Sequence, residues 1–172
     1  GSACAVLILW GYRLVQMKQL IVNVLTAFIP TAIIGLLLHD FVKTYLYEST
    51  GIIIAALAIG GVVMLIIDRN TPAEASAELQ SVSTKQALGI GLIQSLALVP
   101  GVSRSAASIC GGMLLGLNRN HATEFSFLLA IPTLLAASSL DLYKALPSLN
   151  PNDALPLAIG FLAALISSML VM

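Results

Sequence analysis

The sequence predicts an all-α protein, a polytopic membrane helix bundle with a re-entrant helix pair. Three observations predict it. The chain is 58% hydrophobic and only 9% charged, against about a quarter charged in soluble domains, and its mean hydropathy is +0.97. Its apolar residues fall in runs near the length of a bilayer crossing, separated by short polar connectors. A single arginine, Arg104, interrupts an otherwise apolar stretch running from Ala87 to Leu117. A charge at bilayer depth costs at least ~2.5 kcal/mol and so marks a functional site.

Taken in order, the whole chain, 1–172, reads as one integral-membrane domain. Segment 3–12 is apolar but too short to span. Segment 20–38 matches a hydrocarbon core of ~30 Å and contains Pro30, which membrane helices tolerate with a kink. Segment 51–67 is a slightly short second span. Asp68 to Thr84 is the longest polar stretch and reads as a solvated connector. Segment 122–140 is a third span, with Glu124 near its start and Pro132 in its middle. Pro147 to Pro151 is a turn-rich loop, and 154–172 is a fourth span. Phe28-Ile29-Pro30-Thr31 resembles Ala130-Ile131-Pro132-Thr133, but four residues in apolar sequence are too few to mark a repeat.

The stretch 85–117 differs. Lys85 to Val99 offers about 15 helical residues, ~22 Å, and Ala106 to Leu117 about 12, ~18 Å. Neither crosses alone. They form either one long broken span or a hairpin that enters and leaves on the same side. With the hairpin, Arg13, Lys18, Arg69, Lys85 and Arg119 share one side, opposite Lys43 and Lys144. The excess of positive charge makes the first side cytoplasmic. A single crossing gives an equally uneven division, so charge does not decide. Length does, because two such helices exceed one crossing. The re-entrant pair is therefore expected.

Between the two helices lies Pro100-Gly101-Val102-Ser103-Arg104-Ser105. Proline ends the first helix, and glycine allows a sharp reversal. Ser103 or Ser105 can cap the second helix, whose N-terminal amides then face the loop. Arg104 adds a planar fork suited to two phosphate oxygens. Cation, hydroxyls and oriented backbone together suit an anion, phosphate first. In the competing arrangement Arg104 snorkels to an interface and the serines only cap. Gly101 and Ser108 join the site as candidate substrate contacts. Gln94 is either an interhelical hydrogen-bonder or a site residue, and Glu124 either pairs with Arg119 or His121 or faces a wet cavity. Cys4 and Cys110 read as buried thiols. A net charge of zero gives no reason to expect nucleic acid as a partner.

Gly91-Leu92-Ile93-Gln94-Ser95-Leu96-Ala97-Leu98-Val99, then Pro100 to Ser108, then Gly111 to Leu117, then Ala122 to Pro132 closely resemble the BacA-type undecaprenyl pyrophosphate phosphatases. The segments Gly35 to Phe41 and Asp141 to Lys144 resemble that family too, so the likeness covers essentially the whole chain. It implies a fold of inverted repeats, each with a re-entrant pair. It implies hydrolysis of undecaprenyl pyrophosphate to undecaprenyl phosphate and inorganic phosphate, which recycles the lipid carrier for peptidoglycan and cell-wall synthesis and underlies bacitracin resistance. It implies a divalent cation, Mg or Ca, and a multi-pass place in the bacterial inner membrane with the active site facing the periplasm. Homodimerisation is left open.

By that resemblance Arg104 binds phosphate, Ser103 and Ser105 are the motif serines, and Gln94 stands where the first repeat has an acidic residue. Ser108 stands where the family usually has threonine, and Ala106 where it often has glycine. The family's E-x-x-x-E segment is not recognisable before the first full span, nor is the last span of the second repeat. The chain is therefore expected to be a fragment, inactive alone, with the general base or nucleophile and much of the metal site supplied by the absent segment. The rival function is a transporter or flippase of an anionic or lipid-phosphate substrate, since broken helices also serve transporters.

Overall fold

A computed structural model describes residues 4–5, 18–46, 49–70, 82–148 and 153–171. Six α-helices order the described residues beyond position 17: α1 (Lys18–Phe41), α2 (Thr50–Asn70), α3 (Thr84–Gln94), α4 (Arg104–Leu114), α5 (Arg119–Ala145) and α6 (Ala154–Val171). Helices α1, α2 and α5 are long and apolar enough to cross a membrane. The expected segment 3–12 lies outside the described residues apart from Cys4 and Ala5.

The core forms where α1, α3, α4 and α5 meet. Leu20, Val24 and Ala27 of α1, Ala87 and Ile90 of α3, Met113, Leu117, and Phe125, Leu128 and Leu129 of α5 close one apolar cluster. The α1–α3 crossing is close. A Cβ on Gly91 would overlap the Ala27 carbonyl, so only glycine lets these backbones meet, a common device where helices pack in lipid. Asn23, buried on α1, donates through Nδ2 to the Val82 carbonyl at 2.5 Å and pins the start of α3.

Helix α2 is the opposite case. None of its residues is buried, and Ile54, Leu57, Ile59 and Leu65 are each more than half exposed. An uncharged apolar face of this length is suited to hydrocarbon. Helix α6 shows the same outward run, from Leu155 to Leu170.

Helices α3 and α4 form a hairpin. Gln86 Nε2, in the first turn of α3, donates to the Leu115 carbonyl just past α4 at 2.8 Å, and Gly111 packs against Ile93. The two outer ends of the pair are thus adjacent. Ser83 and Gln86 cap α3 reciprocally, as a capping box does. Helix α4 ends at Gly116, φ 95°, with Leu117 N–H bonding Gly112 O at 3.0 Å and Gly116 N–H bonding Met113 O at 3.1 Å, the Schellman pattern. Asn118 then caps α5, accepting from His121 N–H at 2.8 Å.

Beyond the hairpin, Arg119 at the start of α5 reaches Asp68 at the end of α2, 3.0 Å away. The start of α5 and the end of α2 therefore lie at the same end of the bundle as the hairpin's base. A chain that crossed between residues 84 and 114 would have separated them.

The α3 boundary differs from expectation. Its regular turns stop at Gln94, and Ser95–Leu98 tighten into a 3₁₀ turn before Pro100 is reached. Two local causes act. The Ser95 hydroxyl bonds the Gly91 carbonyl at 3.0 Å, competing with the helical ladder. Pro100 pushes Val99 out of the α region, to φ −73°, ψ 123°.

Candidate functional site

The hairpin tip is built from its backbone outward. Gly101 has φ 95°, a region that costs other residues ~1–3 kcal/mol. It also sits directly beneath α2, where a Cβ would lie 2.5 Å from the Ile53 carbonyl and 3.1 Å from Ala56. Ile53 lies 15 residues from Asp68 along α2, so the tip stands roughly 22 Å from the end marked by the Asp68–Arg119 pair, at 1.5 Å per residue.

From the tip the chain turns into α4. Ser103 is the N-cap, with its hydroxyl accepting from Ala106 N–H at 3.3 Å. Ser103 and Ser105 stand at the tip with their hydroxyls 3.2 Å apart in an exposed contact. The amides of Arg104 and Ser105, in the first turn, fall outside the helix's own ladder. They add oriented donors beside the two hydroxyls.

Arg104 is half-buried. Its Nη1 donates to the Ser126 carbonyl on α5 at 3.4 Å, and no ion pair involves it among the described residues. That bond occupies one of the guanidinium's five donors, and the other four are available to a ligand. Ser108, one turn into α4, is 1% exposed. Its hydroxyl donates toward the carbonyls of Arg104 and Ser105 at 3.0 and 3.1 Å and lies 2.6 Å from the Ser126 hydroxyl.

The structure thus gathers Gly101, Ser103, Arg104, Ser105 and Ser108 into one locale. Within it, Ser108 is turned inward against α5 rather than toward the open tip. Gln94 is held elsewhere. Fully buried, it donates through Nε2 to Thr31 Oγ1 of α1 at 3.2 Å, and Thr31 in turn donates to Gly91 O at 3.0 Å. This is the interhelical role expected as one alternative, although the Gln94 Oε1 acceptor has no partner among the described residues. Glu124 is half-buried on α5. It lies two residues before Ser126, about 200° around the helix at 3.6 residues per turn, so its face differs from the one presented to Arg104. No group of three or more His, Cys, Asp or Glu side chains that could hold a metal forms among the described residues. Cys110 is a buried free thiol, and Cys4 is half-buried.

Sequence reasoning missed Ser126 and Thr31. Their signal is present but faint: a lone hydroxyl between Phe125 and Phe127, and another beside Pro30. Only the packing of α5 on α4 and of α1 on α3 shows what those hydroxyls face.

An apolar helix bundle with a cationic, hydroxyl-rich hairpin tip belongs to the membrane proteins that handle anionic groups. Comparison narrows the class. The model of the bacitracin resistance protein BacA family matches residues 1–172, and the chain belongs to that family. It is 41% identical to undecaprenyl-diphosphatase 1 of Mesorhizobium japonicum, the match covering 99% of this chain and 68% of the relative. It is 40% identical to the undecaprenyl-diphosphatase of Aquifex aeolicus, over 99% and 67%. Against the undecaprenyl-diphosphatase of Caulobacter vibrioides it is 44% identical, over 90% and 58%.

Proposed function

We propose that the protein is a lipid pyrophosphate phosphatase, hydrolysing undecaprenyl pyrophosphate to undecaprenyl phosphate and inorganic phosphate. Water adds to the terminal phosphorus, its bond to the bridging oxygen breaks, and the prenyl monophosphate leaves. The observation that carries this reading is Arg104. A permanent charge stands at the head of a hairpin helix, with no counter-ion among the described residues, on a residue flanked in the chain by two serines whose hydroxyls lie 3.2 Å apart. Such a group acts by stabilising charge on the phosphoryl oxygens, which is where most of the rate enhancement in phosphoryl transfer arises.

In this reading the guanidinium, the Ser103 and Ser105 hydroxyls, and the amides of the first α4 turn hold the phosphates. Gly101 brings the backbone close to them. Ser108 serves from behind. Gln94 and Glu124 stay outside the direct contacts, on the α1 side and on another face of α5. The described residues do not form a cage for the divalent cation implied by the resemblance, so no step is routed through it. The prenyl tail lies against the apolar outer faces. The hairpin is re-entrant, its base and the Asp68–Arg119 pair are cytoplasmic, and the tip opens toward the periplasm. The product re-enters the carrier cycle of cell-wall synthesis in the bacterial inner membrane.

The test is phosphate release from the purified full-length protein in detergent, where transport has no compartments to act between. Arg104→Ala is expected to lose at least ~100-fold in turnover, the cost of one oxyanion donor. Near-normal release by that variant refutes the role.

A further inference from the structure

We infer that Ser126, on α5, is the positioning residue of Arg104, holding both the backbone and the guanidinium of the arginine through one closed ring of hydrogen bonds. The direction of the ring follows from counting protons. A serine hydroxyl has one to donate. The Ser108 hydroxyl faces the Arg104 carbonyl at 3.0 Å and the Ser105 carbonyl at 3.1 Å, and neither carbonyl can donate. Ser108 therefore gives its proton there. The 2.6 Å contact between the two serine oxygens must then be filled by the Ser126 proton. Ser126 donates to Ser108, and Ser108 donates to the Arg104 carbonyl. Arg104 Nη1 closes the ring on the Ser126 carbonyl at 3.4 Å.

Burial makes the ring stiff. Ser108 is 1% and Ser126 3% exposed, so water does not compete for these bonds, and a buried donor without its acceptor is costly. Gly112 helps hold the two helices together: a Cβ there would lie 2.9 Å from the Ala122 Cβ. The guanidinium is tethered at one nitrogen by the Ser126 carbonyl. It is oriented before an anion arrives, which is how a fixed charge contributes most to a transition state.

This inference rests on the hydrolytic reading above for its activity arm, but not for its binding arm. In the full-length protein, Ser126→Ala, which removes the hydroxyl link to Ser108 but keeps the backbone carbonyl that holds Nη1, is expected to lower kcat/KM by up to about 100-fold, the scale of a ~1 Å misplacement. It should also weaken binding of inorganic pyrophosphate, measured calorimetrically, about tenfold. Ser126→Thr, which keeps the hydroxyl, should recover most of both. The sharpest readout is coupling. In an Arg104→Lys background Ser126→Ala should cost less than about threefold, and Ser108→Ala with Ser126→Ala should be no worse than either alone. A packing role alone would give independent, additive losses. Unchanged pyrophosphate affinity in Ser126→Ala, or additivity with Arg104→Lys, overturns the inference. If the wild-type protein binds pyrophosphate but releases no phosphate from the lipid, hydrolysis falls and the positioning role is judged by the binding arm. Absence of pyrophosphate binding by the wild type overturns the inference, and the hydrolytic reading is then judged by phosphate release alone.

Discussion

Two glycines share one backbone angle and differ in surroundings, and that difference separates strain from position. Gly101 and Gly116 both have φ 95°. An alanine at either should cost ~1–3 kcal/mol in backbone strain. Around Gly116 nothing lies within 4 Å of an added Cβ, whereas at Gly101 the Ile53 carbonyl is 2.5 Å away. Ordinary contact begins near 3.4 Å, so Gly101→Ala must move the hairpin tip by ~0.9 Å, and a displacement of that size near the chemistry costs on the order of 100-fold. Both variants are expected to melt lower, Gly101→Ala by more, because the clash with Ile53 adds to the strain the two share. Only Gly101→Ala should lose phosphate release, by about 100-fold per folded molecule. The assays are thermal unfolding in detergent and phosphate release from the full-length protein. Equal activities in the two variants at matched folded fraction would refute a role for α2 in setting the depth of the site.

Three further outcomes test the frame around the site. Gly91→Ala should destabilise by at least ~1–3 kcal/mol, since an overpacked close crossing has to open and the clash is with the Ala27 backbone; an unchanged unfolding midpoint would contradict the α1–α3 contact. Cysteines placed at Ser83 and Asn120, in a background without Cys4 and Cys110, should label from the same side of sealed vesicles and a cysteine at Lys144 from the other, whereas opposite labelling of 83 and 120 would mean the hairpin crosses. Gln94→Met should change stability by no more than ~1 kcal/mol, because the lost Thr31 contact is offset by removing an acceptor without a partner among the described residues; a larger destabilisation would mean that Oε1 is engaged in the folded protein.

The fold was largely legible because a bilayer restricts the choices. Apolar runs of crossing length had to be helices, and all four are: α1, α2 and α5 are long and apolar enough to cross, and the fourth run forms the apolar helix α6. The hairpin was legible from length, since 85–99 and 106–117 were each too short to cross and together too long for one crossing. Positive charges alone could not choose. The pairing of Asp68 with Arg119 carries that information, but a contact between residues 51 positions apart leaves no local pattern. The α3 boundary differs by a turn for a similar reason. Proline is visible in the sequence, whereas the hydroxyl of Ser95 turning back on Gly91 depends on which rotamer the packing leaves open.

The site was legible in its cation and not in its division of labour. Three serines around one arginine look alike in sequence. The structure separates them by where each hydroxyl can find a partner. A buried hydroxyl must be satisfied by protein, so Ser108, facing α5, is taken up by Ser126 and the backbone. Ser103 and Ser105, at the open tip, are left with each other and a cap. Arg104 belongs to both sets. Its carbonyl and one guanidinium nitrogen are committed inward, and its neighbours in the chain are the two tip serines. A phosphate arriving at the tip therefore meets a charge that has already lost most of its freedom, and the residue responsible lies on another helix, 22 positions away.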